Sequence, residues 1–115
     1  SENKLNHLYN SAICLLYPSS YEGFGIPVLE AMRAGCPVIA FHGSSIPEVA
    51  GEAALLFDTL DPLALVEMIH RSLDVSERDR LRRLGFMQAS LFSWKRTFEN
   101  TIRVYEKVLG QSLLQ

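Results

Sequence analysis

The sequence predicts an α/β domain in which helices cover a parallel sheet. Unbroken apolar runs at Ile13-Cys14-Leu15-Leu16-Tyr17 and Val38-Ile39-Ala40-Phe41 read as strands buried on both faces, the habit of parallel pairing. Apolar residues at intervals of three to four fill the stretches around them, so helix and strand alternate and right-handed crossovers are expected. With 115 residues, 48% of them hydrophobic, the chain is one domain or less with a modest core.

Each element has its own signal. Ser1 to Ala12 reads as a short helix, with Leu5, Leu8, Tyr9 and Ala12 at helical spacing. It feeds the first strand, Ile13 to Tyr17, which Pro18 ends. A second helix begins near Pro27, where the first turn tolerates proline. That helix runs through Val28, Leu29, Glu30, Ala31 and Met32 and closes at Gly35, ahead of Pro37. The second strand, Val38 to Phe41, follows. Ser45-Ile46-Pro47-Glu48 has the form of a capping box opening a short helical turn that Gly51 ends. Ala53 to Phe57 is the third strand. Asp61-Pro62 starts a helix with Leu65, Val66, Ile69 and Leu73 on one face. Ser76-Glu77-Arg78-Asp79 opens another, striped by Leu81, Leu84, Gln88 and Leu91. Ser93 caps a last helix carrying Trp94, Phe98, Ile102, Tyr105 and Leu109, which Gly110 ends. Gln111 to Gln115 is expected to fray.

The chain is organised around Tyr17 to Gly35. A strand, a loop with Gly23 and Gly25, and a helix N-terminus follow one another, and that order offers backbone N–H groups and a positive dipole end to a phosphate. Two carboxylates flank it, Glu22 in the loop and Glu30 about one turn into the helix. Neither suits a phosphate, because like charges repel. Both suit sugar hydroxyls, since a carboxylate accepts two vicinal O–H donors. Phosphate between hydroxyl acceptors describes a nucleotide-sugar.

The same residues resemble the signature of family-four retaining glycosyltransferases of GT-B fold, the glycosyl transferases group 1. There the motif reads Pro-Ser-x-x-Glu-Gly-Phe-Gly-x-Pro-x-x-Glu-Ala-Met, and every specified position from Pro18 to Met32 matches. Gly35 and Pro37-Val38-Ile39 follow the family's continuation, as do Ile46-Pro47-Glu48-Val49 and Phe92-Ser93-Trp94. The resemblance implies a Rossmann-like sheet that is the second half of a GT-B C-terminal, donor-binding domain. It implies that Glu22 hydrogen-bonds the transferred sugar as the catalytic residue and that Glu30 captures the ribose hydroxyls. Gly23, Phe24, Gly25 and Ile26 would give backbone contacts to sugar and phosphate. Pro27 and Val28 would order the helix start, with the Val28 N–H a candidate phosphate donor. Ser19 and Ser20 either line the pocket or satisfy loop backbone. Transfer would retain anomeric configuration by same-face attack, with the leaving diphosphate helping to deprotonate the acceptor. No cofactor and no metal is implied; the substrate would be a nucleotide-diphospho-sugar, with UDP-, GDP- and ADP-sugars all open, and the acceptor a sugar or lipid.

Three strands are half of a doubly wound sheet, which has about six. The absent half would carry the basic residues that the family sets against the diphosphate, and the acceptor-binding N-terminal domain is absent too. The expected partners are therefore that missing domain or a companion chain, or a second copy through the apolar edge at Ile13 to Tyr17. The competing readings are a binding module without turnover and a structural fragment completed by another chain. The start at Ser1 suggests processing or excision from a longer chain.

Composition narrows the rest. A net charge of −2 lacks the basic excess of a nucleic-acid binder. Cys14 and Cys36 lie in or beside apolar runs without zinc spacing, and reduced buried thiols in a cytoplasmic protein are the expectation. No run has the length of a membrane span and no signal pattern opens the chain, so the location expected is cytoplasmic, peripheral attachment to the inner membrane face included. His7 and His70 read as surface residues, while His42 follows a strand at the end where open α/β sheets bind ligands. Arg78, Arg80, Arg82 and Arg83, interleaved with Glu77 and Asp79, read as a solvated helix face with local ion pairs. Trp94, Phe98 and Tyr105 read as core or interdomain packing, and since the resemblance implies a last helix that braces the N-terminal domain, part of this stripe is expected to be exposed.

Overall fold

The computed structural model describes residues 2–18, 25–59 and 61–113. The elements run α1 Glu2–Ser11, β1 Leu15–Tyr17, α2 Ile26–Arg33, β2 Val38–Phe41, α3 Ile46–Ala50, β3 Ala54–Phe57, α4 Pro62–Leu73, α5 Val75–Ser90 and α6 Trp94–Leu109. The three strands form a parallel sheet in the order β1-β2-β3, with Leu15 opposite Val38 and Val38 opposite Ala54. The expected α/β class, with a Rossmann-like parallel sheet between helices, is what forms.

Side-chain alternation along the strands divides the interior in two. Val38 and Ala40 of β2 face one way and join Val28, Ala31 and Met32 of α2 and Ile46 and Ala50 of α3. Ile39 faces the other way with Leu55 and Phe57 of β3, under Leu65, Met68 and Ile69 of α4. There Phe41 and Phe57 meet edge to face, 5.7 Å between ring centres. Helix α5 serves both sides, through Leu81 on one and Ala89 and Leu84 on the other. Gly85 faces α2, where a Cβ would meet Met32 Cγ at 3.4 Å, an ordinary contact distance.

Several local expectations need correction. The first strand starts at Leu15, not Ile13: the first ladder bond runs from the Leu15 N–H to the Pro37 carbonyl, 2.8 Å. The carbonyls of Ala12 and Ile13 instead accept from the Arg78 guanidinium. Arg78 is thus a brace on the entry to β1 rather than part of a solvated face, whereas Arg80 does pair with Glu77 as foreseen, Nη2 to Oε1 at 2.8 Å. The capping box at Ser45 does not form, because Ser45 has helical φ/ψ of −87° and −1° and makes no side-chain cap bond. An N-cap side chain reaches the first turn from extended backbone. Helix α5 begins one residue early, capped by Asp74, whose carboxylate accepts from the Glu77 N–H at 3.0 Å.

On α4 the buried stripe is rotated. Ala64, Leu65, Met68 and Ile69 face inward at least in part and Ser72 fully, while Val66 and Leu73 are exposed. Ser72 tolerates burial by donating to the Ile69 carbonyl, 2.7 Å. Leu91 of the expected α5 stripe is exposed as well. The Asp61 and Ser93 caps form as expected. Helix α6 keeps Phe98, Val104, Tyr105, Val108 and Leu109 more than half exposed, so Phe98 and Tyr105 are not core. With it the chain measures 54 × 30 × 28 Å, with a radius of gyration of 16.5 Å, against about 13 Å for a compact chain near this length. Beyond Gly110 the chain folds back rather than fraying at once, the Leu113 N–H bonding Glu106 Oε2 at 3.1 Å. Among the described residues no helix is long and apolar enough to cross a membrane.

Candidate functional site

Of the sequence-predicted site, Gly25, Ile26, Pro27, Val28 and Glu30 are described; Glu22, Gly23 and Phe24, with Ser19 and Ser20, lie outside the described residues. Gly25 is the N-cap of α2 in the left-handed region, φ 75° and ψ 40°. A glycine is required there twice over. A side chain would strain the backbone, and its Cβ would lie 2.8 Å from Ile46 Cδ1. Helix α3 therefore fixes where the loop re-enters the fold.

Pro27 falls in the first turn of α2 as expected. Val28 does not serve as expected. Its N–H donates to the Gly25 carbonyl at 3.0 Å and its side chain is wholly buried, so that amide is not poised toward an anion. Pro27 has no N–H. The candidate backbone donors thus move to Gly25 and Ile26 at the helix tip. The other end of α2 is closed by Gly35, φ 76°. The Cys36 N–H reaches the Ala31 carbonyl at 2.9 Å and the Gly35 N–H the Met32 carbonyl at 3.1 Å, a Schellman closure.

Glu30 sits four residues past Ile26, about 6 Å along the axis. It is half-buried and lines a cleft of about 240 Å³ with Leu5, Asn6, Tyr9 and Arg33, between α1 and α2. That volume falls below the ~300–1,000 Å³ of a site for a whole drug-sized ligand and suits one ring of a larger one. Tyr9 lines this cleft beside Glu30, and burial first, then the neighbouring Glu30 carboxylate, push its phenol above the ordinary value of 10.0. Tyr9 is therefore a neutral O–H donor throughout the physiological range. Arg33 closes the cleft with its guanidinium tied to the Phe92 carbonyl, 2.8 Å.

Sequence reasoning missed Tyr9 as a site residue, placing it only in the apolar stripe of α1. The available signal was its chemistry: a buried tyrosine hydroxyl needs a partner, and the helix holding Glu30 follows one strand later. His42 stands at the C-terminal end of β2, beside a second cleft of about 300 Å³ lined by Leu56, Phe57, Asp58, Thr59, Ala64 and Met68. Its imidazole is exposed and its backbone N–H bonds the Phe57 carbonyl at 2.7 Å. Among the described residues no three His, Cys, Asp or Glu side chains gather as metal ligands. Both cysteines are free thiols, and burial raises the pKa of each.

Residues 1–85 match the family described as Glycosyl transferases group 1. The chain is 42% identical to an O-antigen chain mannosyltransferase B of Escherichia coli, over 91% of this chain and 28% of that protein. It is 38% identical to an MMP alpha-(1->4)-mannosyltransferase of Mycolicibacterium hassiacum, over 96% of this chain and 28% of the relative. A D-inositol 3-phosphate glycosyltransferase of Thermobifida fusca is 30% identical over 96% of this chain and 26% of its own length. The chain thus spans little more than a quarter of these relatives.

Proposed function

The chain belongs to the glycosyl transferases group 1 family, and from that premise we propose that it is the donor half-site of a retaining glycosyltransferase, binding a nucleotide-diphospho-sugar. The observation that carries the proposal is the placement of Glu30. Its half-buried carboxylate lines a ring-sized cleft about one helical turn from the N-terminal tip of α2 at Gly25 and Ile26. A nucleoside diphosphate has that spacing of demands: ribose hydroxyls that seek an acceptor, then phosphates that seek N–H donors and the positive end of a helix.

In this reading Glu30 anchors the ribose and the helix tip stabilises the charge that grows on the leaving diphosphate. Glu22 orients the transferred sugar so that the acceptor attacks from the face the leaving group departs. The names of two relatives make mannose the first sugar to test. As a domain, residues 1–115 would be the second half of the C-terminal part of a two-domain enzyme, with the acceptor site and the rest of the donor domain supplied by other sequence. On its own it would not turn over.

A second reading, a fragment that completes its fold with a companion chain or a second copy, is favoured by β1. Among the described residues this strand pairs with β2 alone, and Leu16 and the preceding Ile13 are 40% and 52% exposed, an open apolar edge of the kind that recruits another strand. The two readings are compatible if the companion is the rest of the enzyme.

Calorimetric titration with UDP, GDP and ADP and their sugar conjugates, beside Glu30→Ala, tests the proposal. Saturable binding to one nucleotide, weakened at least about tenfold (~1.4 kcal/mol) by the substitution, is expected. Binding that Glu30→Ala leaves untouched, or none to any of the nucleotides, would overturn it.

A further inference from the structure

We propose that Arg78 is a positioning residue for the cleft that Glu30 lines: its guanidinium fastens the C-terminal end of α1 and so fixes the helix that walls the cleft opposite α2. The inference rests on the reading of Glu30 as the ribose anchor. It adds a residue of α5 that does not itself line the cleft.

Leu5, Asn6 and Tyr9 of α1 line the cleft, so its width depends on where α1 lies. Packing holds that helix weakly. Leu5 and Leu8 are 42% and 62% exposed, while Tyr9 and Ala12, both half-buried, meet the cluster of Val28, Ala31 and Met32. A helix of 10 residues is marginal in water without tertiary support. The side chains of Asn10 and Ser11 bond the Asn6 and His7 carbonyls, within the helix itself. Arg78 instead reaches its end from the body of the fold. Nη2 donates to the Ala12 carbonyl at 3.2 Å and Nη1 to the Ile13 carbonyl, acceptors left over where α1 stops. A guanidinium sets its donors in one rigid plane, and its charge suits the negative end of a helix dipole. Arg78 is half-buried in the first turn of α5. That helix is anchored by Leu81 in one half of the core and Ala89 in the other.

Released from Arg78, α1 would divide its time between docked and undocked positions. A ligand that needs the docked wall then binds more weakly in proportion to the docked fraction. Bonds to a charged group shift such a balance about tenfold or more, so the affinity lost should be about three- to tenfold. The body of the fold, which α1 barely supports, should keep its order.

The test joins two measurements on the unmodified chain, Arg78→Ala, Arg78→Lys and Glu30→Ala. One is the calorimetric affinity for the best-bound nucleoside diphosphate among UDP, GDP and ADP; the other is amide exchange by NMR. Arg78→Lys keeps the charge without the fork and carries the comparison if Arg78→Ala does not fold. The expected result is that affinity falls about three- to tenfold on loss of the guanidinium. The amides of Leu5 to Tyr9 should exchange faster while those of Leu81 to Ala89 keep their rates, a separation that a general role in stability would not produce. Unchanged affinity in the Arg78 variants would overturn the positioning role while leaving Glu30 as the anchor. So would exchange that is unchanged in α1, or that rises equally in α1 and α5. An unmodified chain that binds none of the three, or whose affinity Glu30→Ala leaves untouched, would overturn the anchor reading and the inference with it.

Discussion

Replacing Gly25 by alanine tests how the candidate loop is fixed in the fold. Two separable costs meet at this position. An L-residue at φ 75° is strained by roughly 1–2 kcal/mol. A Cβ 2.8 Å from Ile46 Cδ1 must displace a side chain that is itself wholly buried, and such overpacking costs about 1–3 kcal/mol. Gly25→Ala should therefore destabilise by about 2–5 kcal/mol, a drop in Tm on the order of 10 °C or more. Ile46→Val removes the offending methyl and alone costs about 0.5–1.5 kcal/mol. In that background Gly25→Ala should cost only the backbone share, so the pair is non-additive by about 1–3 kcal/mol. Urea unfolding of the four proteins measures this, with the slope m unchanged if only stability moves. A Gly25→Ala penalty below about 0.5 kcal/mol, or one that is undiminished in the Ile46→Val background, would refute the reasoning.

Other expectations follow from the bonds described. Arg78→Ala frees the Ala12 and Ile13 carbonyls and should cost about 1.5–3 kcal/mol, with faster amide exchange in β1; unchanged exchange there would argue against the brace. Arg80→Ala removes a two-pronged bond to Glu77, at 2.8 and 2.9 Å, and because the pair is partly open to solvent it should cost at most about 1 kcal/mol at pH 7. The Arg80 hydrogen bond holds the Glu77 carboxyl below its ordinary 4.5. The difference between the two proteins is therefore full above that value and fades as pH falls through the lower folded value; a difference that grows on acidification would contradict it. Phe98→Ser on α6, where the ring is 57% exposed, should change stability by no more than about 0.5 kcal/mol, and a loss above about 2 kcal/mol would mean that α6 is packed.

What the sequence revealed and what it hid have physical reasons. β2 was legible to the residue because a strand buried on both faces must be apolar throughout. β1 was overdrawn because Ile13 and Cys14 continue the apolar run, while nothing local tells that an arginine some 65 residues away takes the carbonyl the ladder would need. On α4, hydrophobicity favoured Val66 and Leu73, but the sheet selected the neighbouring stripe, and Ser72 enters the core by bonding its own helix. The spacing on α6 states which face would bury well and says nothing about whether the covering surface belongs to this chain. At the site, proline and glycine chemistry placed α2 and both of its ends. The fate of the Val28 amide depended on the left-handed turn at Gly25, which a residue list does not contain, and the placing of Tyr9 beside Glu30 on how α1 lies against α2.

The most direct test of the central claim is amide NMR of the chain titrated with the mannose conjugates of UDP, GDP and ADP. The account predicts saturable shifts in one titration, gathered at Gly25, Ile26, Tyr9 and Glu30 and absent when Glu30 is alanine. Shifts gathered instead around His42, Asp58 and Ala64 would contradict it, as would no shift with any of the three.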